Sequence, residues 1–135
     1  MCPKVADRRS YRQFCGLARA LDVVGERWTL LLVRELLLGP RRYGDLLESL
    51  PGLTTNLLAR RLKQLEADGI AEKIELDEGV RAYRLTARGA ALEPVIMELG
   101  RWGGALLGMP TPEDRTDMAW GLISMKRRFK GGKGS

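Results

Sequence analysis

A chain of 135 residues with 44% hydrophobic and 30% charged residues has the size and balance of one globular domain with a modest core. Histidine is absent, which removes the commonest general base and the commonest zinc ligand together, and two cysteines, Cys2 and Cys15, are too few for a disulfide framework or a four-ligand metal site. The formal charge of +6 is concentrated at one end, in Lys126, Arg127, Arg128, Lys130 and Lys133, so a case for a polyanionic partner has to be made from particular faces rather than from the total.

Catalysis is not expected, because no paired acid–base constellation is present; nor is a cofactor or a metal. The longest apolar block, Trp28 to Leu38, is interrupted by Arg34 and Glu35 and is too short to span a bilayer. No charged-then-apolar-then-small pattern opens the chain, so a cytoplasmic location without membrane association is expected.

Residues 1–14 are short of apolar side chains and basic at Lys4, Arg8, Arg9 and Arg12, and read as a flexible arm. From Cys15, the spacing Leu17, Leu21, Val24 describes a helix that Gly25 closes. A second helix opens at Trp28 and stops at Gly39-Pro40. Arg41 to Tyr43 leaves room for a very short strand, and Gly44 to Leu50 for a short helix. Pro51-Gly52 is a turn, after which Thr54 or Thr55 caps a helix ending at Asp68-Gly69. Two helices joined by a tight turn read as a helix-turn-helix.

The period then changes. Ile70 to Leu76 and Val80 to Leu85 are expected strands around Asp77-Glu78-Gly79, with a tip that can run longer than those three residues. A hairpin directly after a helix-turn-helix is a wing. Thr86 is expected to cap a long helix striped with Leu92, Val95, Ile96, Leu99, Trp102, Gly103 and Leu106 and kinked by Pro94. Beyond Gly108, Thr111-Pro112-Glu113-Asp114 is a helix opening, and Met118, Leu122, Met125 and Phe129 follow on one stripe. The division expected is a 1–14 arm, a 15–108 winged helix-turn-helix and dimerisation domain, and a 109–135 amphipathic helix with a basic tail.

Within the stretch LTTNLLARRLKQLEADGI, two faces separate. At about 100° per residue, Leu57, Leu58, Leu62 and Leu65 crowd one arc, while Asn56, Ala59, Arg60, Lys63 and Ala67 lie opposite. Arg and Asn bond bidentately to guanine and adenine edges in the major groove, and Lys suits phosphate. Thr55, Asn56, Arg60 and Lys63 are therefore the candidate recognition set, against the blander reading of a solvated helix face. Arg61 borders the apolar arc, where an internal ion pair or a phosphate contact suits it better than base reading. Arg42 and Tyr43 are candidate backbone contacts. Lys73, Arg81 and Arg84 are the candidate wing contacts, on the expectation that Glu75, Asp77 and Glu78 turn away.

The pieces in order are a cysteine ahead of the first helix, Gly25 and Trp28, the run LLGPRRY from Leu37 to Tyr43, Arg61-Leu62, Leu65-Glu66 and Thr86-x-x-Gly89. From Cys15 to about Gly103 the chain resembles the HxlR-type regulators, winged helix-turn-helix factors of the MarR-like superfamily. The resemblance implies a mainly α fold with a small β-hairpin, and a bacterial homodimer joined by its first and last helices. It also implies double-stranded DNA as partner, with one recognition helix at each half of an inverted repeat, and repression as the habitual outcome.

Cys15 matches the cysteine through which some members sense oxidants or electrophiles. A thiol near a helix N-terminus with Arg12 and Arg19 close by should have its thiolate favoured. The alternative is a small hydrophobe at the dimer seam. Some longer relatives carry a further α/β domain where this chain stops, so 109–135 is expected to be either what a truncated relative keeps or a helix with a new job. Two rival functions remain open at this stage: a winged helix for protein–protein contact, and capture of a small-molecule effector in a groove lined by Trp28, Trp102 and Trp120.

Overall fold

The computed structural model describes residues 9–109 together with Pro112 and Asp114. The boundary between its two compact units falls at Ala91–Leu92.

In the first unit α1 (Gly16–Val24) follows Cys15 and ends at Gly25. The chain ahead of it is tied to α1 through Asp22 and Arg19. Ser10 Oγ donates to one carboxylate oxygen of Asp22 at 2.9 Å, and the Tyr11 N–H to the other at 3.0 Å. Trp28 precedes α2 (Thr29–Leu36) with φ of +81°, a left-handed conformation rare for a bulky side chain. Its ring lies over Gly52, where an added Cβ would stand 3.6 Å from the indole, and under the Arg27 guanidinium at 5.3 Å. These contacts with Gly52 and Arg27 accompany a backbone angle that the residue would not choose by itself.

The helix-turn-helix is α3 (Tyr43–Ser49) and α4 (Thr55–Ala67). Thr54, not Thr55, is the cap, its Oγ1 accepting from the Leu57 N–H at 3.2 Å. The far end closes by a Schellman arrangement around Gly69 (φ +73°): Ile70 N–H to Leu65 carbonyl at 2.9 Å and Gly69 N–H to Glu66 carbonyl at 3.1 Å. That geometry reverses the chain directly into the wing, β1 (Ala71–Glu75) and β2 (Arg81–Leu85), an antiparallel pair with Lys73 opposite Tyr83. The tip runs from Leu76 to Val80 around a single 3-10 turn, longer than its central Asp-Glu-Gly. The short strand expected near Arg41 is one bridging residue: Arg41 and Tyr83 exchange two backbone hydrogen bonds of 3.0 and 2.8 Å.

Leu32 and Val33 of α2, Leu46 of α3, and Leu58, Leu62 and Leu65 of α4 are completely buried and make the centre of the core. Each leucine withdrawn from water there is worth about 1.5–3 kcal/mol, which is what fixes α4 with one face inward.

The long helix expected from Thr86 is instead two helices. A single turn, α5 (Ala87–Ala90), ends at Ala91, and α6 (Glu93–Gly103) starts afresh with Pro94 in its first turn. A proline without N–H breaks a ladder in a helix interior but costs nothing at a first turn, where that N–H has no partner anyway. The sequence signal was correct, and its consequence was a new start rather than a kink. α6 belongs to the second unit and runs into one 3-10 turn, Gly104–Leu106.

Thr86 locks α5 to the end of α4. Its hydroxyl accepts from the Gly89 N–H at 3.1 Å and donates to the Gly69 carbonyl at 2.5 Å. Gly89 sits so close to β1 that an added Cβ would fall 2.1 Å from the Ile70 carbonyl oxygen. Because backbone must move to admit even a methyl, Gly89→Ala should cost about 1–3 kcal/mol of stability, read as a lower midpoint in urea unfolding.

No helix among the described residues is long and apolar enough to cross a membrane. The stripe Met118, Leu122, Met125, Phe129, the expected opening of its helix at Thr111, Trp120, Cys2 and the first part of the basic arm lie outside the described residues.

Candidate nucleic-acid interface

α4 separates its side chains as its sequence implies. Leu58, Leu62 and Leu65 are buried, whereas Thr55, Asn56, Arg60 and Lys63 are all exposed. Ala59 and Ala67 lie between the long polar groups, so this side of the helix is low enough for close approach to a surface. Since Thr54 performs the capping, the side chain of Thr55 is not used for that purpose.

Arg61 requires a correction. It is only 8% exposed, and its guanidinium points inward. Nε donates to the Arg27 carbonyl at 2.8 Å, Nη1 to Gln64 Oε1 at 3.1 Å, and Nη2 lies 3.6 Å from Glu26. A phosphate contact is therefore not its role; the internal pairing is. Arg61 pins the α1–α2 connection to α4, and with it the angle at which α4 is presented.

Arg42 stays at the surface but is paired, with Nε and Nη2 donating to the Asp45 carboxylate at 3.1 and 3.3 Å. Those side-chain bonds, reinforced by the Arg42 backbone N–H, hold the Asp45 carboxyl below its ordinary value, and the carboxylate raises the Arg42 guanidinium in turn. Tyr43 is engaged within the chain as well. Its hydroxyl donates to the Thr55 carbonyl at 2.6 Å, and a phenol has one hydrogen to give. Phosphate oxygens only accept, so that hydrogen cannot serve both.

The three expected wing cations do not act from one side. Residues opposite each other in the hairpin share a face: Lys73 with Tyr83, Glu75 with Arg81, and on the other face Glu72 with Arg84. Lys73 and Arg81 are together, while Arg84 is on the reverse side, its Nε 2.7 Å from Glu72. Glu75 did not turn away from the cations either, since it stands across from Arg81. Parity explains both results: a strand alternates sides at every residue, so 81 and 84 cannot point together. Tyr83, on the Lys73 face, has its phenol raised by burial and then by the Glu66 carboxylate of α4.

Cys15 is exposed, immediately ahead of α1, with no side-chain cap bond. Arg19 is not directed at it but donates from Nε to the Gln13 carbonyl at 3.1 Å. Trp28 serves local packing in the first unit, and Trp102 is 73% exposed on α6 in the second.

A capped short helix, a Pro-Gly turn, a second helix with a polar outer face and an immediate hairpin are the parts of a winged helix-turn-helix. A family model described as HxlR-like helix-turn-helix matches residues 23–110. The chain belongs to that family. An HTH-type transcriptional regulator of Synechocystis sp. is 39% identical over 92 residues, covering 66% of this chain and 67% of its own length. The HTH-type transcriptional regulator YodB of Bacillus subtilis is 35% identical over 104 residues, 76% of this chain and 82% of YodB. The reduced form of YodB superposes with a TM-score of 0.61 at 31% identity, over 73% of this chain and 100% of that one. The redox regulator HypR in its oxidised form gives 0.63 at 28% identity, over 76% and 100%. Relatives of this HxlR-family protein are thus transcriptional regulators with the same winged helix-turn-helix fold.

Sequence reasoning missed Glu26 and Gln64 as the partners that draw Arg61 inward, and Arg41 as the bridge to the wing. Gln64 at i+3 from Arg61 was a legible signal; the other two are contacts across the fold.

Proposed function

We propose that this protein is a homodimeric transcriptional repressor whose two α4 helices read the halves of an inverted repeat in double-stranded DNA. The observation that carries the reading is the joint exposure of Thr55, Asn56, Arg60 and Lys63 on the side of α4 away from its leucines. Asn56 and Arg60 supply the base-reading donors and acceptors, Thr55 and Lys63 the adjoining phosphate contacts. Arg42, though paired with Asp45, is exposed enough to reach the backbone, and Lys73 with Arg81 gives the wing a second anchoring point. Arg84 has no part in this surface.

Two apolar surfaces support dimerisation. Ahead of and along α1, Phe14, Leu17 and Leu21 are exposed; along α6, Val95, Leu99 and Trp102 are exposed, Leu99 to 49%, and Leu106 is exposed in the 3-10 turn that follows. Apolar surface of that kind on a helix is stable in water when a second apolar surface covers it. Two-fold pairing then sets the α4 helices roughly 34 Å apart, one turn of DNA. Cys15, exposed immediately ahead of α1, is in a position for thiol chemistry or an effector to alter the α1 surface.

Selection of bound duplexes from a random pool tests the reading directly. An inverted repeat should emerge. A dimer neutralising about 8 phosphates should lose affinity for it with a log–log salt slope near −7. A pool that stays random, with no retarded complex at either low or moderate salt, would leave the winged helix to a protein partner instead.

A further inference from the structure

The segment Arg41 to Tyr43 touches both parts of the candidate reading surface at once. Its first residue exchanges two backbone hydrogen bonds with Tyr83 in the middle of β2. Its last donates a phenolic hydrogen bond to the carbonyl of Thr55, the first residue of α4, at 2.6 Å. Between them Arg42 fixes the start of α3, its N–H and guanidinium both held by Asp45. Three consecutive residues thus join the wing strand to the N-terminal turn of the recognition helix.

The Thr55 carbonyl has no need of this bond for its own sake. As the first residue of α4, it accepts within the helix's own i to i+4 ladder, and a carbonyl has two lone pairs. The phenol is a second donor at the exposed end of the helix where Thr55 and Asn56 are displayed; it adds to the hold that buried Leu53 and Leu58 have on the same turn and ties that turn to the segment paired with the wing. What it constrains is therefore the direction of the first turn relative to the wing.

We infer that Tyr43 is a positioning residue for DNA reading: its hydroxyl sets the first turn of α4 against the wing and so aligns Asn56 with the bases. The inference rests on the DNA-reading assignment above. A group of this kind acts only where alignment matters, on a cognate site, and leaves sequence-independent phosphate binding alone.

The test uses the full chain and its Tyr43→Phe variant on two probes, the selected inverted-repeat duplex and a random duplex of equal length, at fixed salt. The expected result is a loss of about 3- to 10-fold in affinity for the selected duplex, the range that one neutral hydrogen bond commands. Affinity for the random duplex should stay at the parental value, and the thermal midpoint should fall by no more than the few degrees that one exposed hydrogen bond is worth. Base preference should weaken most at the half-site positions nearest the start of α4. Unchanged affinity for the selected duplex overturns the inference. So does an equal loss on both duplexes, which marks a phosphate contact, and so does a midpoint lowered by more than that, which marks a stability element. Should the parent itself fail to distinguish the two duplexes, the DNA-reading assignment falls first, before the variant is compared.

Discussion

Replacing Arg61 with alanine should lower the stability of the protein by about 3 kcal/mol while removing no direct contact with DNA. The guanidinium is buried and gives charge-assisted bonds to the Arg27 carbonyl and to Gln64, each worth about 1.5–3 kcal/mol, with Glu26 close by. Truncation leaves two acceptors short of a donor and removes the volume of a buried side chain. The ion pair with Glu26 adds little, because Glu26 keeps 30% of its side chain in water. Arg61→Lys should recover only part of the loss, since a single ammonium on a flexible stem cannot fork to two acceptors. Urea unfolding of the three proteins gives the answer. If the alanine variant unfolds like its parent but shows a shallower salt slope on DNA, Arg61 is a phosphate contact after all and the interior network is not what holds it.

Arg60→Ala should do the reverse. The side chain is on the exposed face of α4, next to Arg61 in sequence but turned by about 100° around the helix. A bidentate arginine–guanine pair is worth about 1–3 kcal/mol of discrimination, and a two-fold dimer uses it twice. The variant should keep its fold and its binding to random duplexes but lose preference for one base in each half-site. Arg81→Ala is the matched control, expected to weaken all sequences alike and to flatten the salt slope by about 2, one phosphate per subunit. Arg60→Ala protein that selects the parental operator with unchanged stringency removes Arg60 from the reading set.

The contrast between these two neighbours shows how far the sequence could be read. Helical spacing alone separated Leu58, Leu62 and Leu65 from Asn56, Arg60 and Lys63, and burial in the folded chain follows that partition. The turn at Pro51-Gly52 and the stop at Gly69 were equally plain, because glycine with positive φ and proline are local demands that hardly depend on the rest of the chain. Arg61 was ambiguous at the border of the apolar arc. Only the approach of the Glu26–Arg27 loop, some thirty residues earlier, turned it inward.

Local chemistry was thus written into the sequence: the order of helices, the caps, the hairpin and the family to which its motifs belong. Tertiary structure decided the rest. It brought the Arg27 carbonyl and Glu26 to Arg61, set Glu72 across from Arg84, paired Arg41 with Tyr83, and carried the Tyr43 hydroxyl to the Thr55 carbonyl. The physical reason is one of range. Periodicity and turn propensity act over a few bonds, whereas the partner of a long polar side chain is set by whichever distant segment folds up beside it.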